Sequence, residues 1–286
     1  MKTIIFYNNF HYGDLHISRT FVKDIINKTK LGCIYVHRNL HKNMFLPEHI
    51  VDLDLDEGEL PDNKLIYVEN DIIYINTWLN SNFGNRLYGC TLQALYYNFG
   101  IIYNNLGIEL EPIEYYIPRI DFDNLSPLKL SPINHFFFTY DYKKYIYIAN
   151  GVVRSGQSDN TNMVKYIINL AVQFPEHLFI TTEDIKHPEI KNIIPASYII
   201  GSVDSKESDL IENAYVSTFC DVIVGRNSGP ATFALIPENI TSDTKQLIMS
   251  CSNIPPFLPN NMYNKNKEII LTTNIIDMFN MLKNKL

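Results

Sequence analysis

The chain has 286 residues, 46% apolar and 19% charged, with a net charge of −7. That suits one large α/β unit or two compact domains. The acidic balance excludes a general nucleic-acid surface, which needs clustered Lys and Arg.

Cys33, Cys90, Cys220 and Cys251 are too scattered for a Cys-x-x-Cys metal motif and read as buried thiols of a reducing compartment. Met1–Tyr7 is too short an apolar run for a signal peptide, and no apolar segment is long enough for a transmembrane span. The expected location is cytoplasmic.

Lys2–Tyr7 predicts a buried strand, Asn8–His16 a polar turn, and Ile17–Lys28 a helix with apolar positions at Ile17, Phe21, Val22, Ile25 and Ile26. In the turn, Gly13-Asp14-Leu15-His16 sets Asp14 near the strand's carboxyl end. A carboxylate there can take a proton from an incoming hydroxyl, or it can simply cap a helix beginning at Leu15. His11 and His16 are candidates to orient Asp14 or touch an acceptor, and each also reads as a polar loop residue. Leu31–Val36 and Ile50–Leu55 predict two more strands, and Leu65–Val68 with Ile72–Ile75 a hairpin. His37, His41 and His49 share no helical face at metal spacing. Tyr88–Leu106 is a long helical candidate. Prolines 112, 118, 127 and 132 then mark a shift, so the interdomain connection falls between about residues 118 and 140.

In the second half, the Lys144–Ala149 strand runs into the Asn150–Asp159 loop, where Gly151 and Gly156 bracket Arg154 and Ser155. Asp159 or Asn160 is the expected cap of a helix within Thr161–Phe174. His177–Thr181 predicts a strand, with Thr181, Thr182 and Glu183 at its end. Glu183 reads as part of a solvated turn. A short strand within Asn192–Ile200 and a helix over Ser208–Cys220 follow.

Asp221–Leu235 is the most informative stretch: a β-branched run ends in a small polar loop that opens an apolar helical segment. Backbone N–H groups at such a helix start favour an anion, most often phosphate. Arg226 adds charge, Asn227, Ser228 and Thr232 add polar donors, Gly229 allows close approach, and Pro230 suits the first helical turn. The alternative is an ordinary strand-to-helix turn capped by Ser228. Gln246–Ser250 and Glu268–Leu271 predict strands and Ile275–Leu286 a terminal helix. Strands alternating with helices in both halves imply an α/β protein with two Rossmann-like domains facing across a cleft. The expected domains are residues 1–130 and 131–286, with the terminal helix a candidate to pack back on the first domain.

The early Gly13-Asp14-Leu15-His16 turn, paired with the Ser228-Gly229 turn, resembles the GT-B glycosyltransferases. Within them it is similar to the lipopolysaccharide heptosyltransferase group and to small sugar transferases of large DNA viruses. The resemblance implies that Asp14 is the base of an inverting transfer and that Ser228, Gly229, Pro230 and Thr232 cradle the donor diphosphate. Heptosyltransferases carry Asp-Thr-Gly followed by a His in this turn; here Asn227-Ser228-Gly229 stands without a His, so heptose is not predicted. The implied enzyme moves a hexosyl or pentosyl group from a UDP-, GDP- or ADP-linked donor to a hydroxyl of a glycan acceptor. The resemblance makes residues 1–130 the acceptor side and 131–286 the nucleotide-sugar side, with Thr181, Thr182 and Glu183 candidates to contact the nucleotide base or ribose.

No cofactor or metal is expected, because Arg154, Arg226 and the helix start would stabilise the leaving diphosphate. A sugar-nucleotide epimerase of the same architecture is the main alternative. Another is a metal-dependent GT-A-type transferase using Asp52, Asp54 and Asp56, although their alternation with Leu equally fits an exposed strand. A nucleotide-binding module without catalysis is a third class. No G-x-G-x-x-G follows the first strand of either half, which disfavours an NAD-dependent oxidoreductase. Trp78, Tyr115 and Tyr116 are candidates to line an acceptor groove.

Overall fold

The computed structural model describes residues 2–8, 12–37, 52–53, 64–77, 89–153, 160–187, 189–201, 209–250, 258, 270–272 and 274–286. Two sheets organise the chain. The first holds β1 (Thr3–Asn8), β2 (Gly32–His37), β3 (Asp52–Leu53), β4 (Ile66–Glu69) and β5 (Ile72–Asn76), in the order β3-β2-β1-β5-β4. Only β4 is antiparallel among them; it pairs with β5 through the expected hairpin. Asn70 and Asp71 both adopt positive φ there, which matches a two-residue turn to the twist of its strands.

Helix α1 spans Tyr12–Thr29, beginning one turn before the predicted Ile17. The reason is burial: Leu15 is 1% exposed, so the apolar face extends back into what reads as a polar turn. Asp14 in its first turn and Lys28 in its last complement the helix dipole. The next helix covers Thr91–Leu106, with Cys90 as its cap and Gly107 (φ 66°) closing it. Phe21 of α1 stacks on Tyr116 at 4.0 Å, a contact contributing about 0.5–1.5 kcal/mol beyond area burial. The Tyr116 and Tyr103 hydroxyls donate to buried Asp24 at 3.0 and 2.8 Å. Tyr116 is therefore a core residue and not part of a groove, while neighbouring Tyr115 is exposed. Trp78 lies outside the described residues.

The second sheet is wholly parallel. It comprises β6 (Tyr145–Ala149), β7 (Leu178–Thr181), β8 (Ile193–Pro195), β9 (Val222–Arg226), β10 (Gln246–Ser250) and β11 (Ile270–Thr272), ordered β11-β10-β9-β6-β7-β8. The chain starts in the middle, winds outward to β8, then returns past β6 and winds outward the other way. Doubly wound sheets of this order bind ligands where the winding reverses, here between β6 and β9.

Side chains alternate across this sheet. Tyr147, Ala149, Ile223, Leu247 and Met249 join the core shared with the first half. Ile146, Ile148, Val222, Val224 and Ile248 pack on the opposite side under the Val164–Gln173 and Ile275–Lys283 helices. Among the described residues the terminal helix lies against β9, β10 and β11 rather than on the first unit, with Ile275, Met278, Phe279 and Leu282 in that second core. The Pro127–Thr139 helix packs on the Ala196–Ile200 and Leu210–Ser217 helices of the second half. No described helix is long and apolar enough to cross a membrane.

Candidate functional site

The carboxyl ends of β6 and β9 meet at the reversal point, where Ala149 pairs with Gly225. A Cβ added to Gly225 would lie 3.0 Å from the Cβ atoms of both Ala149 and Ala231, so glycine lets the strand and the following helix close on each other. After Arg226 and Asn227 the chain turns into the short Gly229–Phe233 helix, with Pro230 in its first turn. Ser228 occupies the cap position with extended backbone (φ −144°, ψ 165°), yet its hydroxyl makes no capping hydrogen bond. That hydroxyl is not spent on the helix. Asn227 is 1% exposed; its N–H donates to Ser250 O at 2.8 Å, and its Oδ1 has no hydrogen-bond partner among the described residues.

Two residues expected to face a phosphate are used differently. Thr232 is fully buried, and its hydroxyl donates to Ser228 O at 2.7 Å, one turn back along the chain. Arg226 is 2% exposed. Its Nη1 donates to Gly151 O at 3.4 Å and to Asn160 Oδ1 at 3.0 Å, and its Nη2 donates to Thr161 O. Asn160, expected as a helix cap, instead accepts from Val153 N–H and donates to Val153 O, each at 2.9 Å. Asn162 serves the Val164–Gln173 helix in its place, accepting from Val164 N–H at 2.8 Å.

Asn150, at the end of β6, ties this loop to the end of β7. Its Oδ1 accepts from Glu183 N–H at 2.8 Å and from the Thr182 hydroxyl at 3.1 Å, while its Nδ2 donates to Glu183 O at 3.1 Å. Thr182 and exposed Glu183 thus sit beside the β6 loop, whereas Thr181 is fully buried, with its hydroxyl 3.5 Å from Ile194 O. Arg154 and Ser155 lie outside the described residues.

The first half meets this site through α1. A Cβ built on Gly13 would stand 3.1 Å from Gly229 Cα and 3.5 Å from Thr232 Oγ1, so the two backbones touch where each unit begins a helix. Asp14, 6% exposed, is the next residue. Two residues on, His16 is fully buried and stacks on Phe233 at 4.3 Å, with 18° between the rings. Burial, and secondarily the Arg19 charge, hold its pKa well below the usual histidine value. His16 is a neutral packing group between the halves, and the polar-loop expectation fails because the helix starts before it. His11, Asp54 and Asp56 lie outside the described residues, and Asp52 is in β3.

The sequence carries no sign of the bonds that Gly151 and Asn160 make to Arg226, or of those that Asn150 makes to Thr182 and Glu183. It shows only that Asn150 directly follows a strand. Two surface grooves, of about 610 and 720 Å³, lie on the 127–139 helix and beside the 91–106 helix. Neither is at the strand ends, and volume alone does not outweigh the convergence there of Ser228, Asn227 and the Asn150 loop.

No family model matches the sequence, and no curated protein matches it. Among solved structures, an S. aureus MnaA–UDP co-structure is similar at 14% identity and a TM-score of 0.51, over 99% of this chain and 87% of that one. The E. coli heptosyltransferase WaaC with ADP is 10% identical with a TM-score of 0.49, over 98% and 99%. A glycosyl transferase family 9 structure from Veillonella parvula DSM 2008 is 11% identical with a TM-score of 0.48, over 99% and 89%. At such identities the likeness is one of architecture: the chain has the GT-B-like fold, two Rossmann-like α/β units facing across a cleft.

Proposed function

We propose that the protein is a glycosyltransferase that moves a sugar from a nucleotide-diphosphate donor to a hydroxyl of a glycan acceptor, with inversion and without a metal. One observation carries the reading: the Gly13–Gly229 contact joins the helix start bearing Asp14 to the Ser228–Gly229 turn at the winding reversal of the second sheet. A carboxylate from one half and an anion-binding turn from the other are what direct displacement requires.

In this mechanism the acceptor oxygen attacks the anomeric carbon and forms the new C–O bond. Its proton passes to Asp14, and the bond from the anomeric carbon to the diphosphate oxygen breaks. Charge growing on the leaving diphosphate is met by the N–H groups of the 228–229 turn, the Ser228 hydroxyl and the loop bearing Arg154 and Ser155. Thr182 and Glu183 border the side where a base or ribose would lie. The groups fit a UDP, GDP or ADP donor; UDP and ADP are the nucleotides named with the MnaA and WaaC structures.

The test pairs binding with turnover. UDP, GDP and ADP sugars are screened by thermal stabilisation with EDTA or Mn²⁺, and the binder is then assayed for transfer by wild type and Asp14→Asn. The expected result is stabilisation that survives EDTA, and a kcat roughly two to four orders of magnitude lower in the variant at similar donor affinity. No stabilisation by any nucleotide sugar would sink the reading. Stabilisation only with Mn²⁺ would favour the Asp52/Asp54/Asp56 alternative, and an epimerised donor without transfer would favour an epimerase.

A further inference from the structure

The geometry assigns Arg226 a positioning role: its buried guanidinium ties residues 151–153 to residues 160–161 and so positions them at the crevice beside the Ser228–Gly229 turn. The inference rests on the nucleotide reading for what the crevice holds, but the clamp itself is independent of it.

Arg226 closes β9 in register with Ser250, one residue beyond the Ala149–Gly225 pair. From there its fork reaches both limbs of the loop. Nη1 donates to Gly151 O on the outgoing limb and to Asn160 Oδ1 on the return, while Nη2 donates to Thr161 O. Asn160 passes the restraint back across the loop by gripping both backbone groups of Val153, which is itself 4% exposed. Asn150 fixes the root of the outgoing limb to Thr182 and Glu183. One guanidinium and one carboxamide therefore hold residues 151, 153, 160 and 161 together.

This explains why an arginine ends a strand that is otherwise apolar. A planar fork satisfies separated acceptors with fixed geometry, whereas a lysine presents one point charge and cannot span them. It also assigns the charge a different job from the one its place in the anion turn suggests. Arg226 acts on the ligand through residues 151–153 and 160–161, by ordering them before the ligand arrives.

The experiment uses the full chain as wild type, Arg226→Lys, Asn160→Ala and the double variant. Asn160 is exposed, so its truncation leaves the core intact even if Arg226→Lys fails to fold. Amide hydrogen exchange at Val153 reads the clamp without any ligand, and titration with UDP, ADP and the nucleosides uridine and adenosine reads the crevice.

The clamp predicts at least about tenfold faster exchange at Val153 in either single variant, with no further increase in the double variant, because both act on one restraint. It also predicts that nucleoside and nucleoside diphosphate lose affinity by the same factor. Unchanged exchange at Val153 overturns the clamp. Loss confined to UDP or ADP, with nucleoside binding intact, overturns the positioning role and restores Arg226 as a direct phosphate contact. A wild type that binds none of the four probes overturns the nucleotide reading and the crevice assigned to these residues, while Val153 exchange still decides the clamp.

Discussion

Gly13 and Gly229 make one contact with two unequal sides. A Cβ on Gly13 would press to 3.1 Å from Gly229 Cα, whereas a Cβ on Gly229 would find Gly13 N at an ordinary 3.7 Å. Gly13→Ala must therefore push the start of α1 away from the 228–229 turn by a few tenths of an ångström, carrying Asp14 with it. Alanine's better helix propensity offsets about 1 kcal/mol of that strain, so stability should change little. Transfer activity should fall about tenfold, because reacting groups tolerate little displacement. Gly229→Ala should keep activity within about twofold. Steady-state kinetics with melting curves on both variants check this, and equal losses would show that the asymmetry has no functional weight.

Thr232 looks in sequence like a hydroxyl donor to phosphate. Its hydroxyl instead donates to Ser228 O, which also accepts Thr232 N–H at 2.9 Å. Thr232→Val should lower stability by about 1 kcal/mol, the usual net contribution of such a bond, and leave nucleotide affinity within about threefold. Calorimetric titration with UDP and ADP would decide it. A tenfold or greater loss of affinity would return Thr232 to the ligand.

The sheets were legible because strand signals are local. Tyr145–Ala149 and Val222–Val224 are short β-branched or aromatic runs bounded by glycine and polar residues, and such runs form strands wherever they are buried. The positions of Asp14 and of the Ser228–Gly229 turn were legible for the same reason, since each directly follows a strand or opens a helix. What each polar side chain touches was not. Arg226 and Asn160 lie 66 residues apart in sequence, and their pairing depends on the placement of β6 beside β9. The early start of α1 was hidden too. Gly13 has low helix propensity and reads as turn chemistry until its contact with Gly229 is known.

His16 couples the interface to pH. Its folded-state pKa lies well below the ordinary histidine value, through burial first and the Arg19 charge second. The unfolded chain therefore takes up a proton near pH 6.5 that the folded protein refuses. Stability from this group is complete above that pH and is lost as pH falls toward the folded-state value, with a slope of up to about 1.4 kcal/mol per pH unit. His16→Leu keeps the apolar packing on Phe233 and removes the titration. Melting temperature between pH 7 and pH 5 should fall more steeply for wild type than for the variant. Parallel curves would mean that His16 is protonated without cost.

Glu212 titrates with the opposite consequence. It is 1% exposed, and burial raises its pKa even though Lys129 Nζ stands 3.3 Å away and pulls it down. Since the folded-state pKa is raised, this group's contribution is complete below about pH 4.5 and is lost as pH climbs through the folded-state value. Ionised Glu212 is thus a liability at neutral pH that its partner only partly relieves. Glu212→Gln should stabilise the protein by roughly 1 kcal/mol at pH 7–8, a modest figure because water reaches Lys129, and by nothing near pH 4. Lys129→Met should act the other way at pH 7–8, by leaving the buried carboxylate without its cation. Denaturant midpoints at pH 4 and pH 8 separate the two. A Glu212→Gln protein less stable than wild type at pH 8 would show that the ion pair outweighs its desolvation, contrary to the direction of the pKa shift.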